Sequence, residues 1–197
     1  MRVGNDIVDL AVAPKLEGRR GKRWIEKVCS LEEQFCFVPE NIHQKTVWRL
    51  WSMKESAYKA HKQLEPDSVF SPHQTLCIMT NLKDGLVMID GRTYVTRTIT
   101  SEDFVYTTAS SDQETPPITR AFKLASSYNK DQGLEVRAAA LSDAAEQLHV
   151  PLSELNIHKD EAHVPRLNFG KDKHSMMISF THHCDYAGYA LSLSSQK

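Results

Sequence analysis

A chain of 197 residues is long enough to bury a sizeable core, as one domain or as two small halves. With 24 basic against 25 acidic residues its net charge is −1, which excludes a bulk electrostatic pull toward nucleic acid or a membrane surface and leaves a charged partner to meet a local patch. At 41% hydrophobic and 25% charged it is ordinary for a globular protein, and no apolar run approaches the ~20 residues a membrane-spanning helix needs.

The chain opens with "RVGNDIVDL" (2–10), a short strand rich in Val and Ile that ends at polar residues, with no charged-then-apolar leader before it. The four cysteines at 29, 36, 77 and 184 form no Cys-x-x-Cys pair and no zinc-finger spacing. Reduced thiols in a cytoplasmic protein are therefore expected. A dense basic stretch, "KLEGRRGKRWIEK" (15–27), follows the strand. Its only aromatic is Trp24, so base stacking by a nucleic-acid binder is not indicated. Ser30 and Glu33 have the spacing of a capping box at a helix start.

The strongest helix signal spans 44–62, where Val47, Leu50, Trp51, Lys54, Ala57 and Tyr58 share one face. A lysine on such a face must snorkel to solvent or meet an anion. Glu55 and Lys59, four apart, are neighbours on the helix surface. After Pro66 the pattern changes to strands: 73–80, 85–91, 92–100 and 103–110, with Asp90-Gly91 as a hairpin turn. "SSDQETPPITR" (110–120) reads as a linker. A helix over 132–148 ends before Pro151, and β-type segments over 155–169 and 174–194 follow. The expected architecture is α+β, in two halves, 1–115 and 116–197, with no sequence repeat between them. Asp6 on the first strand and Glu55 on the long helix offer one carboxylate each. That is the sparse oxygen set by which Mg²⁺ is held beside phosphates. Gly4, two residues before Asp6, suggests close approach of a ligand to the backbone.

"GNDIVDL", followed about forty residues later by "WSMKESAYKA", resembles the two signature motifs of the 4′-phosphopantetheinyl transferase superfamily. The first motif is Gly-x-Asp with a further acid two or three residues on, here Gly4, Asp6 and Asp9. The second is an aromatic, then Lys-Glu-Ser/Ala, then Lys, here Trp51, Lys54, Glu55, Ser56 and Lys59. "KVCSLEEQF" (27–35) is similar to the segment between the motifs. "ISFTHHCDYAGYALS" (178–192) is similar to the family's Ser-His segment, with Thr181 in place of the Ser and His182 on the His.

The resemblance implies a 4′-phosphopantetheinyl transferase-like fold: two similar α+β halves in a pseudo-two-fold pair with the active cleft between them. It implies transfer of the phosphopantetheine arm of coenzyme A to a serine of an apo acyl- or peptidyl-carrier protein, with release of 3′,5′-ADP. Mg²⁺ would be held by Asp6 and Glu55, with Asp9 as an added ligand directly or through water. Lys59 would face the diphosphate, and Glu55 is the expected base for the serine hydroxyl. Thr181 and His182 are candidates for the 3′-phosphate. The Lys of the family's Gly-Lys-Pro element is absent although Pro165 remains, and Arg166 or Lys159 is the candidate substitute. Lys15, Arg19, Arg20 and Arg23 form a cationic patch suited to docking an acidic carrier protein. The two-module order of the family is reversed here, which leaves open a permuted pseudo-dimer or a single module with an insertion. The alternative function is a catalytically inactive homologue that binds coenzyme A or a carrier protein.

Overall fold

The computed structural model describes residues 1–13, 21–36, 44–125, 129–170 and 174–192. The first half opens with β1 (Val3–Asp9), followed by helices α1 (Gly21–Val28), α2 (Leu31–Cys36) and α3 (Gln44–Lys62). A meander follows: β2 (Leu76–Met79), β3 (Asp84–Ile89), β4 (Arg92–Thr100) and β5 (Phe104–Ser110). The second half contains β6 (Ile118–Lys123), α4 (Asn129–Leu148), β7 (Leu155–Lys159), β8 (Pro165–Phe169), β9 (His174–His183) and β10 (Tyr186–Leu191).

The strands form two five-stranded sheets, ordered β1-β5-β4-β3-β2 and β6-β10-β9-β8-β7. The second order repeats the first strand for strand: an opening strand, a long helix, then a meander whose last strand pairs with the opening one. Every pairing is antiparallel. Residues 65–110 are thus the meander of the first half, which decides for paired halves over a single module with an insertion. β6 begins inside the stretch that composition marks as linker. Its residues alternate poorly and are half-exposed, so it carries little hydrophobic signal.

The helices form where their sequences favour them. α3 has no Gly or Pro, and its last turn carries Lys59, His61 and Lys62, which complement the negative end of the helix. Its buried stripe of Val47, Leu50, Met53, Ala57 and Ala60 packs on the first sheet with Val87, Tyr94 and Val105. α4 buries Val136, Ala140 and Ala144 against Leu167, Met176 and Tyr189 of the second sheet. It ends with His149 at φ 54°, where Val150 N–H returns to Ala145 C=O (3.1 Å) and His149 N–H to Glu146 C=O (3.3 Å). The Asp90-Gly91 turn has φ 49° and 73°, as a tight hairpin with the sheet's twist requires.

β1 is an edge strand by hydrogen bonding, yet it is buried along its whole length. α3 covers one face and the second half covers the other. Gly4 faces α3: a Cβ there would lie 1.9 Å from Ser56 O and 2.7 Å from Ala60 N. The missing side chain therefore admits the helix backbone, and the space above Gly4 that the sequence suggested for a ligand is filled.

The free edge of β1 is closed by side chains. The N–H groups of Asn5, Ile7 and Asp9 donate to Ser179 Oγ (3.3 Å), Thr181 Oγ1 (3.2 Å) and His183 Nδ1 (2.9 Å). These three acceptors alternate along β9, so they share one strand face. At the start of β1, Gln63 bonds both the N–H and the C=O of Val3, at 3.0 and 2.7 Å. No N–H on this edge is left open for another strand. Tyr106 crosses the same seam and donates to Tyr189 C=O (2.6 Å), passing over Gly188, where a Cβ would meet its ring at 2.7 Å.

Candidate functional site

Alternation along β1 turns Asp6 toward α3, where helical spacing has placed Glu55 and Lys59. Lys59 Nζ donates to Asn5 C=O at 3.0 Å. From that anchor it lies 3.4 Å from Asp6 Oδ1 and 3.9 Å from Glu55 Oε1. Two carboxylates far apart in sequence thus share one ammonium. Asp6 is 6% exposed; the Glu55 and Lys59 side chains are 22% and 28% exposed. The cluster is open on the helix side and closed on the strand side.

Its electrostatics follow from this count. Burial pushes the Asp6 carboxyl above its ordinary value, while the Lys59 ammonium opposes the shift. Burial also raises Glu55; Lys59 opposes that shift and the Asp6 charge adds to it. With both acids ionised the cluster has one negative charge in excess. Asp6 Oδ1 receives Lys59 and, at 3.5 Å, the Thr181 hydroxyl. Asp6 Oδ2 is buried and has no hydrogen-bond partner. A buried carboxylate oxygen without a donor, on a residue that shares its lysine with a second carboxylate, has the chemistry of a divalent-cation ligand. Asp6 and Glu55 therefore fit Mg²⁺.

Unfolded, both acids titrate at about 4; folded, they titrate higher. Between the two values the folded chain holds protons that the unfolded chain has released. Their contribution to stability is full below the unfolded pKa values and is lost as pH rises through the folded ones. In metal-free buffer the melting temperature of wild type should therefore fall more over that window than that of Asp6→Asn. Parallel pH profiles for the two proteins would contradict the raised Asp6 value.

The other candidates are placed differently. Asp9 is on the opposite face of β1 from Asp6. Its Oδ1 accepts from Ala11 N–H (2.9 Å) and its Oδ2 from Asp185 N–H (3.3 Å). It clasps the β9–β10 turn and does not join Asp6 and Glu55. Among the described residues no group of three or more His, Cys, Asp or Glu converges on one point. Thr181 does reach Asp6, but its oxygen is engaged by Ile7 N–H. His182 is exposed and on the β9 face turned away from β1. Arg166 bonds Asp160 (2.8 Å) and Met177 Sδ (2.9 Å). Met177 precedes Thr181 by four residues, about 13 Å along an extended strand, so Arg166 is not at the Asp6 cluster. Lys159 closes β7, paired with Pro165. Lys15, Arg19 and Arg20 lie outside the described residues. Arg23 is exposed on α1, whose Trp24 packs on Trp48 and Trp51 of α3 at 5.2 and 5.0 Å.

Two participants escape a sequence reading that selects His182. His183 lies on the same strand face as Thr181 and accepts from β1, which fixes its ring proton on Nε2. The alternation that separates it from His182 is the signal that should have retained it. Ser52 is fully buried, and its hydroxyl donates to Asp6 C=O at 3.3 Å. Lys54 is not in the cluster. It is fully buried and gives its three protons to Glu33 Oε2 (2.6 Å), Val28 C=O (2.9 Å) and Pro72 C=O (2.8 Å). The lysine on the apolar face meets an anion, and that anion belongs to the protein.

No curated protein and no solved structure matches this chain. A family profile matches residues 2–109, from the start of β1 almost to the end of β5. It contains Gly4, Asp6, Glu55 and Lys59 and takes in more than half of the sequence. The motif resemblance at 178–192 falls outside it. On the strength of that match, this chain belongs to the 4′-phosphopantetheinyl transferase superfamily.

Proposed function

We propose that the chain transfers the 4′-phosphopantetheine arm of coenzyme A to a serine hydroxyl of an apo acyl- or peptidyl-carrier protein, with Mg²⁺, releasing 3′,5′-ADP. The observation that carries this reading is the pairing of Asp6 and Glu55 on Lys59 with Asp6 Oδ2 left unpartnered. Asp6 and Glu55 would hold Mg²⁺, which when bound supplies charge neutralisation at the diphosphate. In the transfer, the serine oxygen bonds to the β-phosphorus as the bond from that phosphorus to the bridging oxygen breaks. The serine proton passes to Glu55, directly or through a water. Its raised pKa makes it a stronger base toward that proton than an ordinary carboxylate. Lys59, held by Asn5 C=O, presents a fixed ammonium to the charge developing on the leaving oxygen.

The carrier protein would dock beside α3, on the basic stretch that runs into α1. Trp24 supports this by seating α1 on the helix that carries Glu55. No helix is long and apolar enough to cross a membrane among the described residues, and a cytoplasmic location is part of the proposal.

The test is incubation of purified protein with coenzyme A, Mg²⁺ and a panel of apo carrier proteins, read by mass. A phosphopantetheine gain on a carrier, lost with chelator, is expected. Arg23→Glu should raise KM for the carrier and leave kcat in place. Binding of coenzyme A with no mass gain on any carrier would replace this reading with that of an inactive homologue.

A further inference from the structure

We propose that Thr181, in the second half of the chain, is a positioning residue for Asp6: it turns the carboxylate so that Oδ2 is left for the metal. This rests on the Mg²⁺-dependent reading above and goes beyond the family match, which ends before Thr181.

Thr181 is 6% exposed, so its donor and acceptor must both be met within the protein. Its oxygen accepts from Ile7 N–H at 3.2 Å, which directs its proton elsewhere. The acceptor within reach is Asp6 Oδ1, at 3.5 Å. Lys59 approaches the same oxygen at 3.4 Å. Both donors therefore fall on Oδ1 and none on Oδ2, although Oδ2 is buried too. A carboxylate bonded on one oxygen only has its rotation fixed and its second oxygen free, which is how partners behind a ligand orient it toward a metal.

The strand register makes the hydroxyl a fixed point. Ser179, Thr181 and His183 bond β1 at two-residue intervals, so Thr181 cannot slide along β1 without breaking its neighbours' bonds. Ser179 makes the same kind of bond to Asn5 N–H but does not touch Asp6. It is a built-in control, since its loss removes a comparable bond of the seam and spares the carboxylate. The second half then has a stated role at the site: it supplies the hydroxyl that aims Asp6.

The experiment is Mg²⁺ titration of the full-length protein without substrate, read as the rise in melting temperature and converted to an apparent Kd. Thr181→Val should raise that Kd roughly ten- to hundredfold, the usual cost of removing a partner behind a metal ligand. Thr181→Ser should restore it to within about threefold of wild type, because the hydroxyl is what acts. Ser179→Ala should lower the metal-free melting temperature and leave the Kd in place. If Thr181→Val does not fold, Thr181→Ala, which leaves room for a water on Ile7 N–H, carries the same expectation. An unchanged Kd in Thr181→Val or Thr181→Ala, or an equal rise in Ser179→Ala, would overturn the proposal. Asp6→Asn separates the two levels. If wild type and Asp6→Asn respond alike to Mg²⁺, the metal reading fails and this one with it. If only Asp6→Asn loses the response, the metal reading stands and Thr181 has no part in it.

Discussion

Lys54→Met is expected to destabilise the fold by about 3–5 kcal/mol, the cost of leaving one partner of a buried ion pair alone. The lysine joins four elements at one atom. Its ammonium, on α3, bonds the last residue of α1 (Val28), Glu33 of α2 and the turn at Pro72. Glu33 in turn receives Ser30 N–H at 2.8 Å and, through its other oxygen, Cys77 N–H of β2 at 3.1 Å. Ser30 Oγ in turn accepts from Glu33 N–H at 3.2 Å, completing the capping box. Methionine fills the volume but leaves a buried carboxylate without its counter-charge and two carbonyls without a donor. Denaturant unfolding measures the loss. Glu33→Gln added to Lys54→Met should recover part of it, because the orphaned charge is then gone. A loss below about 1 kcal/mol would mean that solvent reaches the pair and that the bond is worth no more than a surface one. At a temperature where the variant is folded, turnover should persist, since Lys54 does not touch the Asp6 cluster.

The same residue shows what the sequence could and could not disclose. A lysine on an apolar helix face announces a buried anion, and the periodicity of 44–62 placed it on that face. The identity of the anion depended on packing between segments 21 residues apart. The long helix, the strand read over 2–10 and the Asp90-Gly91 hairpin were legible because each is written locally: period 3.6, a short run rich in Val and Ile that ends at polar residues, and residues that accept positive φ. β6 was not legible. It is held by its long-range pairing with β10, and Arg120 and Lys123 break any apolar alternation. The turn between β9 and β10 was also hidden, since Cys184 adopts φ 51° without a Gly or Asn to mark it. Gly4 was legible as a position of close approach, but what approaches is the α3 backbone. The site divides in the same way. Asp6, Glu55 and Lys59 follow from motif spacing and the two periodicities. The separation of Asp9 from them needed only the strand alternation. The convergence of β9 on β1, which brings Thr181 and His183 to the seam, is a fact of tertiary assembly.

Glu55→Gln should reduce carrier loading by roughly 10²–10⁴-fold, the contribution of a positioned base, while leaving the fold as stable as wild type or more so. The two effects have one cause. Glu55 is held where burial and the neighbouring Asp6 charge both disfavour its ionised form, and Lys59 offsets this only in part. A neutral amide of the same shape removes the repulsion and the desolvation cost together. It also removes the charge that would help hold Mg²⁺ and the lone pair that would take the serine proton. A residue whose neutralisation stabilises the protein and stops its chemistry is kept for the chemistry. The melting temperature in metal-free buffer above the raised pKa and the rate of mass gain on the carrier, measured on one preparation, test both halves of this claim. Turnover within a few-fold of wild type would remove Glu55 from the mechanism. A fall in melting temperature would show that Lys59 more than balances the two acids, and that the cluster is an ion-pair network built for stability.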